Sequence, residues 1–366
     1  MNCVIAMSGG VDSSVALLLS RKNFLEEGDR ITGLTLALAE ENSPESEADR
    51  RNIADARQVC EIQDVHHVSL YAYPEFKERV ISYFTSSYLA GETPNPCVVC
   101  NREIKFGLLA DWAEKNGYEC VVTGHYARTV EKNGYVYIKR AVDLSKDQSY
   151  VLAMLSQKQL KMARFPLGAL TKAEVREIAD VHGFASAHRH DSQDICFIPD
   201  GDYVGFMEKN GIVLPGEGNY LNEDGKVIGR HKGHVRYTVG QRKGLGISLG
   251  HHAFVLSKNA SANEVTLGDE TGLYKTKVEL RGLNLPSEPD VLDGEVNVAA
   301  KLRYAHKPSA AVFTRTGEGE GYLTFDEPQR APTAGQFAVM YTRDALSDDA
   351  AEACEAVVLG AGVIAE

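Results

Sequence analysis

The stretch Cys3-Val4-Ile5-Ala6-Met7-Ser8-Gly9-Gly10-Val11-Asp12-Ser13-Ser14 decides the fold. Its apolar start reads as a strand, the paired glycines as a tight turn, and the spacing of Val15, Leu18 and Leu19 as a helix. Strand, glycine turn and helix together aim the free N–H groups of the first helical turn at one point. The hydroxyls of Ser8, Ser13 and Ser14 can donate to phosphate oxygens at the same place. No Gly-Lys-Ser/Thr follows, so this is a phosphate loop of a different kind from the lysine-bearing one of GTPases and most ATPases.

Beyond the loop, short β-like runs at 3–7, 31–36, 67–70 and 120–123 alternate with helical spacings. The latter are Ile53, Ala56, Val59, Cys60 and then Phe76, Val80, Tyr83, Phe84. That alternation predicts an α/β domain with a parallel sheet covered on both faces. Asn133-Gly134 between two β-like runs predicts a hairpin, and Thr171 with Glu174 a capping box. After about Asp200 Pro, Gly and Asn become frequent, which marks a small separate module. From about Lys277 short alternating runs (296–302, 311–314, 322–325, 337–341, 357–364) predict a compact antiparallel barrel. The expected boundaries are 1–205, 206–276 and 277–366.

With 366 residues, 43% of them hydrophobic, the chain can bury the cores of two or three domains. It shows no basic n-region with a long apolar stretch and no membrane span, so a cytoplasmic location is expected. Seven scattered cysteines do not form an extracellular disulfide framework and are expected mostly as buried thiols. The net charge of −12 argues against nucleic-acid binding as a sum, but Lys226, Arg230, Lys232, Arg236, Arg242 and Lys243 stand in a segment without one acidic residue. That segment reads either as a phosphate-backbone contact or as a solvated loop.

Two segments carry sulfur. In Thr93-Pro94-Asn95-Pro96-Cys97-Val98-Val99-Cys100-Asn101-Arg102, the prolines predict an extended, rigid loop ahead of a helix starting near Arg102. Placement near a helix N-terminus, beside Arg102 and Lys105, predicts a lowered thiol pKa. A Cys-x-x-Cys pair is equally half of a zinc site or two packed thiols. In Asp191-Ser192-Gln193-Asp194-Ile195-Cys196-Phe197-Ile198, Cys196 taken alone reads as a core thiol.

Seven segments in order closely resemble the bacterial tRNA-specific 2-thiouridylase family. They are the Ser8–Ser13 loop, which matches the SGGxDS pyrophosphate loop; Pro94-Asn95-Pro96 with Cys100-Asn101; Thr123-Gly124-His125-Tyr126; Lys146-Asp147-Gln148-Ser149-Tyr150; Asp191-Ser192 with Ile195-Cys196-Phe197-Ile198; 237–246; and Ala334-Gly335-Gln336. The resemblance covers essentially the whole chain. It implies an ATP-pyrophosphatase (adenine nucleotide α-hydrolase-like) domain, a small central tRNA-contacting module and a C-terminal β-barrel. The implied reaction is ATP-dependent replacement of the C2 oxygen of the wobble uridine by sulfur, with adenylation of that oxygen and Mg²⁺ on the phosphates.

By position, the resemblance makes Cys196 the acceptor of a persulfide from a donor protein, a cysteine desulfurase or sulfur relay protein. It makes Cys100 the partner that releases sulfur through a transient Cys100–Cys196 disulfide. It places Ala6, Met7, Ser8, Gly9, Gly10, Val11, Asp12, Ser13 and Gly124 on the nucleotide, with Leu36 at the adenine. Asn95, Pro96 and Cys97 would line the target base, while His125, Lys146, Asp147, Gln148, Arg303, Tyr304 and Gln336 would meet the tRNA. Many members carry Asp where this chain has Cys97. That departure opens a second reading, an iron–sulfur cluster on Cys97, Cys100 and Cys196 with one open iron. Two rivals are another pyrophosphate-loop enzyme, amidating or lysidine-forming, which needs no cysteine, and a non-catalytic RNA-binding protein with a structural zinc.

Overall fold

The computed structural model describes residues 1–23, 26, 28–41, 43, 45–184 and 195–365. Strands β1 (Cys3–Ala6), β2 (Ile31–Ala37), β3 (His66–Tyr71) and β4 (Cys120–Val122) are followed by a hairpin, β5 (Arg128–Lys132) and β6 (Tyr135–Lys139), and by the short β7 (Ala163–Arg164). The sheet is parallel throughout, in the order β3-β2-β1-β4-β7. Because β1 lies between β2 and β4, the chain turns in opposite directions after β1 and after β4, and the crevice between them opens at their carboxyl ends. Open parallel sheets bind ligands at such a crevice.

Helices α1 (Val11–Asn23), α2 (Ser46–Ile62) and α3 (Lys172–Val181) belong to this domain. Cys3 and Ile5 pack with Val15, Leu17, Cys60, Val175 and Ala179 on one face, whereas Val4 packs with Leu34, Leu109 and Val121 on the other. Burial on both faces explains the unbroken apolar run in β1. Asn133 and Gly134 both take positive φ at the hairpin turn, and Thr171 and Glu174 exchange the two bonds of a capping box.

Cys3 and Cys120 stand opposite each other in neighbouring strands, Cα atoms 4.9 Å apart, and are joined as a disulfide rather than lying as the expected separate buried thiols. Residues 117 apart in sequence become neighbours only through strand order, which a count of cysteines cannot reveal.

After helix Tyr203–Lys209 comes a four-stranded sheet, β8 (Gly218–Leu221), β9 (Val227–His231), β10 (Phe254–Asn259) and β11 (Glu264–Gly268), around Tyr220, Val255, Val265 and Leu267. Six strands then close a barrel: β12 (Tyr274–Asn284), β13 (Glu295–Lys301), β14 (Ser309–Gly317), β15 (Glu320–Arg330), β16 (Phe337–Tyr341) and β17 (Val358–Ile364). Val298, Ala300, Phe313, Leu323, Ala338 and Met340 fill its interior.

The barrel wall is not simply solvent-facing. Ala299, Phe337, Val339, Tyr341, Val358 and Ala361 point outward into the same core as Val4, Leu109, Val121, Tyr150 and Leu152 of the first domain. Alternation in β13 therefore separates two buried environments, and Lys301, on the outward-facing register, is buried with the rest. Shared burial predicts shared unfolding. Phe337→Ala, emptying a site that is 3% exposed, should cost about 3 kcal/mol. Trp112, the single tryptophan, packs on this core from the first domain. Its fluorescence in urea should show the destabilisation although the substitution is in the barrel; a Trp112 transition identical to wild type would disprove the coupling.

Candidate active site at the carboxyl edge of the sheet

The loop after β1 turns at Gly9, whose φ of +74° suits glycine and where a Cβ would come within 2.7 Å of the Asn52 carbonyl oxygen. The Ser8 and Ser13 hydroxyls lie 3.2 Å apart, and Ser13 Oγ donates to the Gly10 carbonyl at 2.9 Å, so the loop is held by its own side chains. After β4, Gly124 presses against the start of α1: a Cβ there would meet the Asp12 carbonyl carbon at 2.8 Å and Ser13 N at 3.0 Å. Asp12 itself accepts from Tyr126 Oη at 2.8 Å and pairs with Lys172 Nζ at 2.8 Å. Lys172, the first residue of α3, thus brings a cation to a loop whose own sequence lacks one. Leu36 lies half-buried near the end of β2, along the same edge.

The three cysteines lie farther along this edge. Helix Pro96–Cys100 begins six residues earlier than the sequence suggested, so Cys97 sits in its first turn and Cys100 inside it. It continues as a π-helix, Asn101–Leu108. Cys100 is packed among Phe76, Val80, Ile81 and Ile104. Cys196 arrives from a different part of the chain, anchored by its neighbour Phe197. That ring meets Phe76 and Phe84 edge-on at 5.5 and 5.4 Å and Phe206 at 5.2 Å. Asp191, Ser192, Gln193 and Asp194 lie outside the described residues.

The expected lowering of thiol pKa is not found. Burial pushes Cys100 up to about 12, against the opposing pull of Lys105, and Cys196 and Cys97 raise it further. Cys97 and Cys196 have exposed surface, yet surrounding protein raises both thiols as well. Desolvation outweighs one cation, so the resting cysteines are thiols.

His125 is buried: Thr123 Oγ1 bonds its Nδ1 at 2.8 Å, Phe106 and Phe165 flank it, and burial holds it neutral, well below the usual imidazole pKa. Asp147 is also buried, accepting from Arg140 Nε at 3.0 Å, from Ser149 Oγ at 2.9 Å and from two backbone N–H groups. Gln148 Oε1 accepts the Tyr126 N–H, and Lys146 stands half-buried beside it.

From the barrel, Gln336 Nε2 donates to the Thr93 carbonyl at 2.8 Å, and the Thr93 N–H donates to the Ala334 carbonyl at 2.8 Å. The loop carrying Asn95, Pro96 and Cys97 is thereby clamped from outside its own domain. Arg303 donates to the Ala331 carbonyl and Thr333 Oγ1, and Tyr304 remains 42% exposed. Burial, the Asp147 charge and Cys97 together raise the Tyr304 phenol pKa, which places that phenol within electrostatic reach of Cys97.

Three family models match the chain in order: a tRNA methyl transferase HUP domain over residues 1–200, a tRNA methyl transferase PRC-barrel domain over 206–269 and an aminomethyltransferase beta-barrel domain over 276–364. The tRNA-specific 2-thiouridylase MnmA 2 of Clostridium botulinum is 40% identical over 343 residues, 93% of this chain and 95% of that protein. The chain belongs to the tRNA-specific 2-thiouridylase family. The enzyme of that name from Moorella thermoacetica is 41% identical over 93% of this chain and 96% of its own length, and that of Treponema denticola 38% over 94% and 95%.

A cluster or zinc reading is not favoured in this 2-thiouridylase. Among the described residues no group of three or more His, Cys, Asp or Glu side chains is arranged to hold a metal ion, so Cys97, Cys100 and Cys196 do not form a three-cornered ligand set. No helix among them is long and apolar enough to cross a membrane. Within the basic segment, Lys226, Arg230, Lys232, Arg242 and Lys243 are exposed. Two of its cations nevertheless pair with acids outside it, Arg236 with Glu208 at 2.6 Å and Arg230 with Glu217 at 3.7 Å.

Sequence reading missed Lys301. Its ammonium lies over the rings of Tyr150 and Tyr304, at 5.8 and 5.7 Å, and burial lowers its pKa to about 8 despite Asp147. The nearby Arg303-Tyr304 pair was the available signal. Because the folded pKa lies below the unfolded one, the group costs stability below about pH 8, and the cost disappears above the unfolded value. Lys301→Met should therefore stabilise the free protein by about 3 kcal/mol at pH 7, with little gain near pH 10.5. Urea denaturation at the two pH values checks this, and equal effects at both would refute it.

Proposed function

We propose that this protein uses ATP to replace the C2 oxygen of a tRNA wobble uridine with sulfur. The observation that carries the reading is the packing of Phe197, the neighbour of Cys196, into the cluster that holds Cys100, which brings the two thiols from separate segments within electrostatic reach of each other. Residues Ala6 to Ser13 with Gly124 are suited to the phosphates of ATP and Leu36 to the flank of its adenine. Mg²⁺ on those phosphates would offset their charge, and Asp12, in the first turn beside the loop, is a carboxylate that could hold it.

An amide-like oxygen leaves poorly, so O2 of the uridine attacks the α-phosphorus of ATP and pyrophosphate departs. The terminal sulfur of a Cys196 persulfide then attacks C2, and AMP leaves with the C–O bonding pair. Cys100, deprotonated to its thiolate, attacks Sγ of Cys196, the S–S bond breaks, and sulfur stays on the base. The resulting Cys100–Cys196 disulfide is reset by a thiol reductant. A cysteine desulfurase or sulfur relay protein supplies each new persulfide, and the substrates imply a cytoplasmic enzyme.

Asn95, Pro96 and Cys97 would receive the unstacked base, and the exposed ring of Tyr304, within electrostatic reach of Cys97, offers a surface for it. Arg303, Gln336, Lys146 and Gln148 would contact the neighbouring nucleotides. The buried His125 and Asp147 would support those contacts from beneath, His125 bonded to the Thr123 hydroxyl and Asp147 holding the Ala141 and Ser149 N–H groups.

Mass spectrometry of tRNA nucleosides after incubation with ATP, Mg²⁺ and a sulfur source tests the reaction. Cys100→Ser and Cys196→Ser should each abolish 2-thiouridine, and Cys97→Ser should retain measurable product. Product formation in both Cys100→Ser and Cys196→Ser would favour a pyrophosphate-loop enzyme that needs no sulfur relay. Replacing both Arg242 and Lys243 by Glu should weaken tRNA binding regardless of sequence and flatten its salt dependence by about one log–log unit or less per lost phosphate contact. An unchanged slope would mark the segment as a solvated loop.

A further inference from the structure

Lys105 lies five residues beyond Cys100 and eight beyond Cys97, within the π-helix Asn101–Leu108. In an α-helix, with about 3.6 residues per turn, the fifth residue overshoots its starting face. In a π-helix each N–H bonds the carbonyl five residues back, as Leu109 N–H does to Ile104, and the fifth residue comes round over the first. The chain is widened where this brings Lys105 onto the face of Cys100.

The electrostatics agree with that placement. The Lys105 charge pulls down the pKa of Cys97, Cys100 and Cys196 alike, and it also disfavours protonation of buried His125. Among the described residues, the other groups that act on the cluster add no positive charge. Asp49 of α2 pushes the Cys196 thiol up, the cysteines oppose one another's ionisation, His125 is neutral, and Tyr304 approaches Cys97 as an un-ionised phenol. The relay needs two sulfur anions in succession at a place where burial alone keeps sulfur protonated.

We propose that Lys105 is the counter-ion of the sulfur relay, its ammonium stabilising first the anionic terminal sulfur of the Cys196 persulfide and then the Cys100 thiolate. This rests on the persulfide reading above. Each ionisation releases one proton to solvent.

The test compares wild type, Lys105→Gln and Lys105→Arg. Peptide-resolved iodoacetamide labelling of Cys100 and Cys196 at about pH 9 reads thiolate content, and single-turnover 2-thiouridine formation by persulfide-loaded enzyme reads transfer. Removing the cation should slow both about tenfold at fixed pH. It should also move the pH profile of transfer upward by about one unit, and Lys105→Arg should restore all three. Circular dichroism checks folding, and Lys105→Met takes the place of Lys105→Gln if the latter fails to fold. Unchanged labelling and an unmoved pH profile in a folded, charge-free variant would overturn the proposal. Cys196→Ser, run alongside, separates the two claims: if it still makes 2-thiouridine, the persulfide reading falls, whereas loss of product there with an unmoved Lys105→Gln profile removes only Lys105.

Discussion

The outer wall of the barrel is buried against the first domain, and the geometry of the site depends on that burial. Phe337, Val339 and Tyr341 share a core with Val4, Val121 and Tyr150, so the carboxyl edge of the sheet and the rim of the barrel face each other at a fixed separation. The polar contacts across the boundary follow from it. Tyr150 Oη donates to the Phe337 carbonyl at 2.8 Å, and Ser149 Oγ and Tyr341 Oη lie 3.1 Å apart. A cleft assembled from segments so far apart in sequence needs this kind of non-directional attachment first, with hydrogen bonds then setting its register.

Within the cleft, the chemistry is governed by competition between desolvation and charge. The apolar surroundings that position Cys100 also suppress its ionisation, as Phe76, Val80 and Ile81 crowd it from one side. Thiols that stay protonated at rest resist stray oxidation and alkylation, and reactivity then depends on the arrival of substrate and sulfur. The aromatic anchor at Phe197 serves the same end by holding Cys196 near its partner without any covalent link in the resting state.

Much of this was legible in the sequence. The β1 loop, the hairpin at Asn133-Gly134, the Thr171 capping box and the barrel strands are local patterns, and each was found where its residues predict. What escaped depends on tertiary neighbours. The Cys3–Cys120 pairing follows from strand order, the Asp12–Lys172 ion pair from a helix 160 residues away, and the burial of Lys301 from a second domain lying over an alternating strand. The direction of the thiol pKa shifts was misjudged for the same reason: sequence neighbours show the cation but not the surrounding apolar atoms that outweigh it. The early start of the helix at Pro96 reflects proline's fitness for a first helical turn, which competed with its reading as a loop former.

The grip of residues 334–336 on Thr93 and Pro94 bears on how such a molecule can change over time. Any drift in the rim of the barrel shifts the loop that presents Asn95 and Cys97, and any change in that loop meets the barrel before it meets a substrate. The two segments therefore move as one unit despite the 240 or so residues between them. A chimaera that borrowed a barrel from a relative would have to bring the matching proline loop with it.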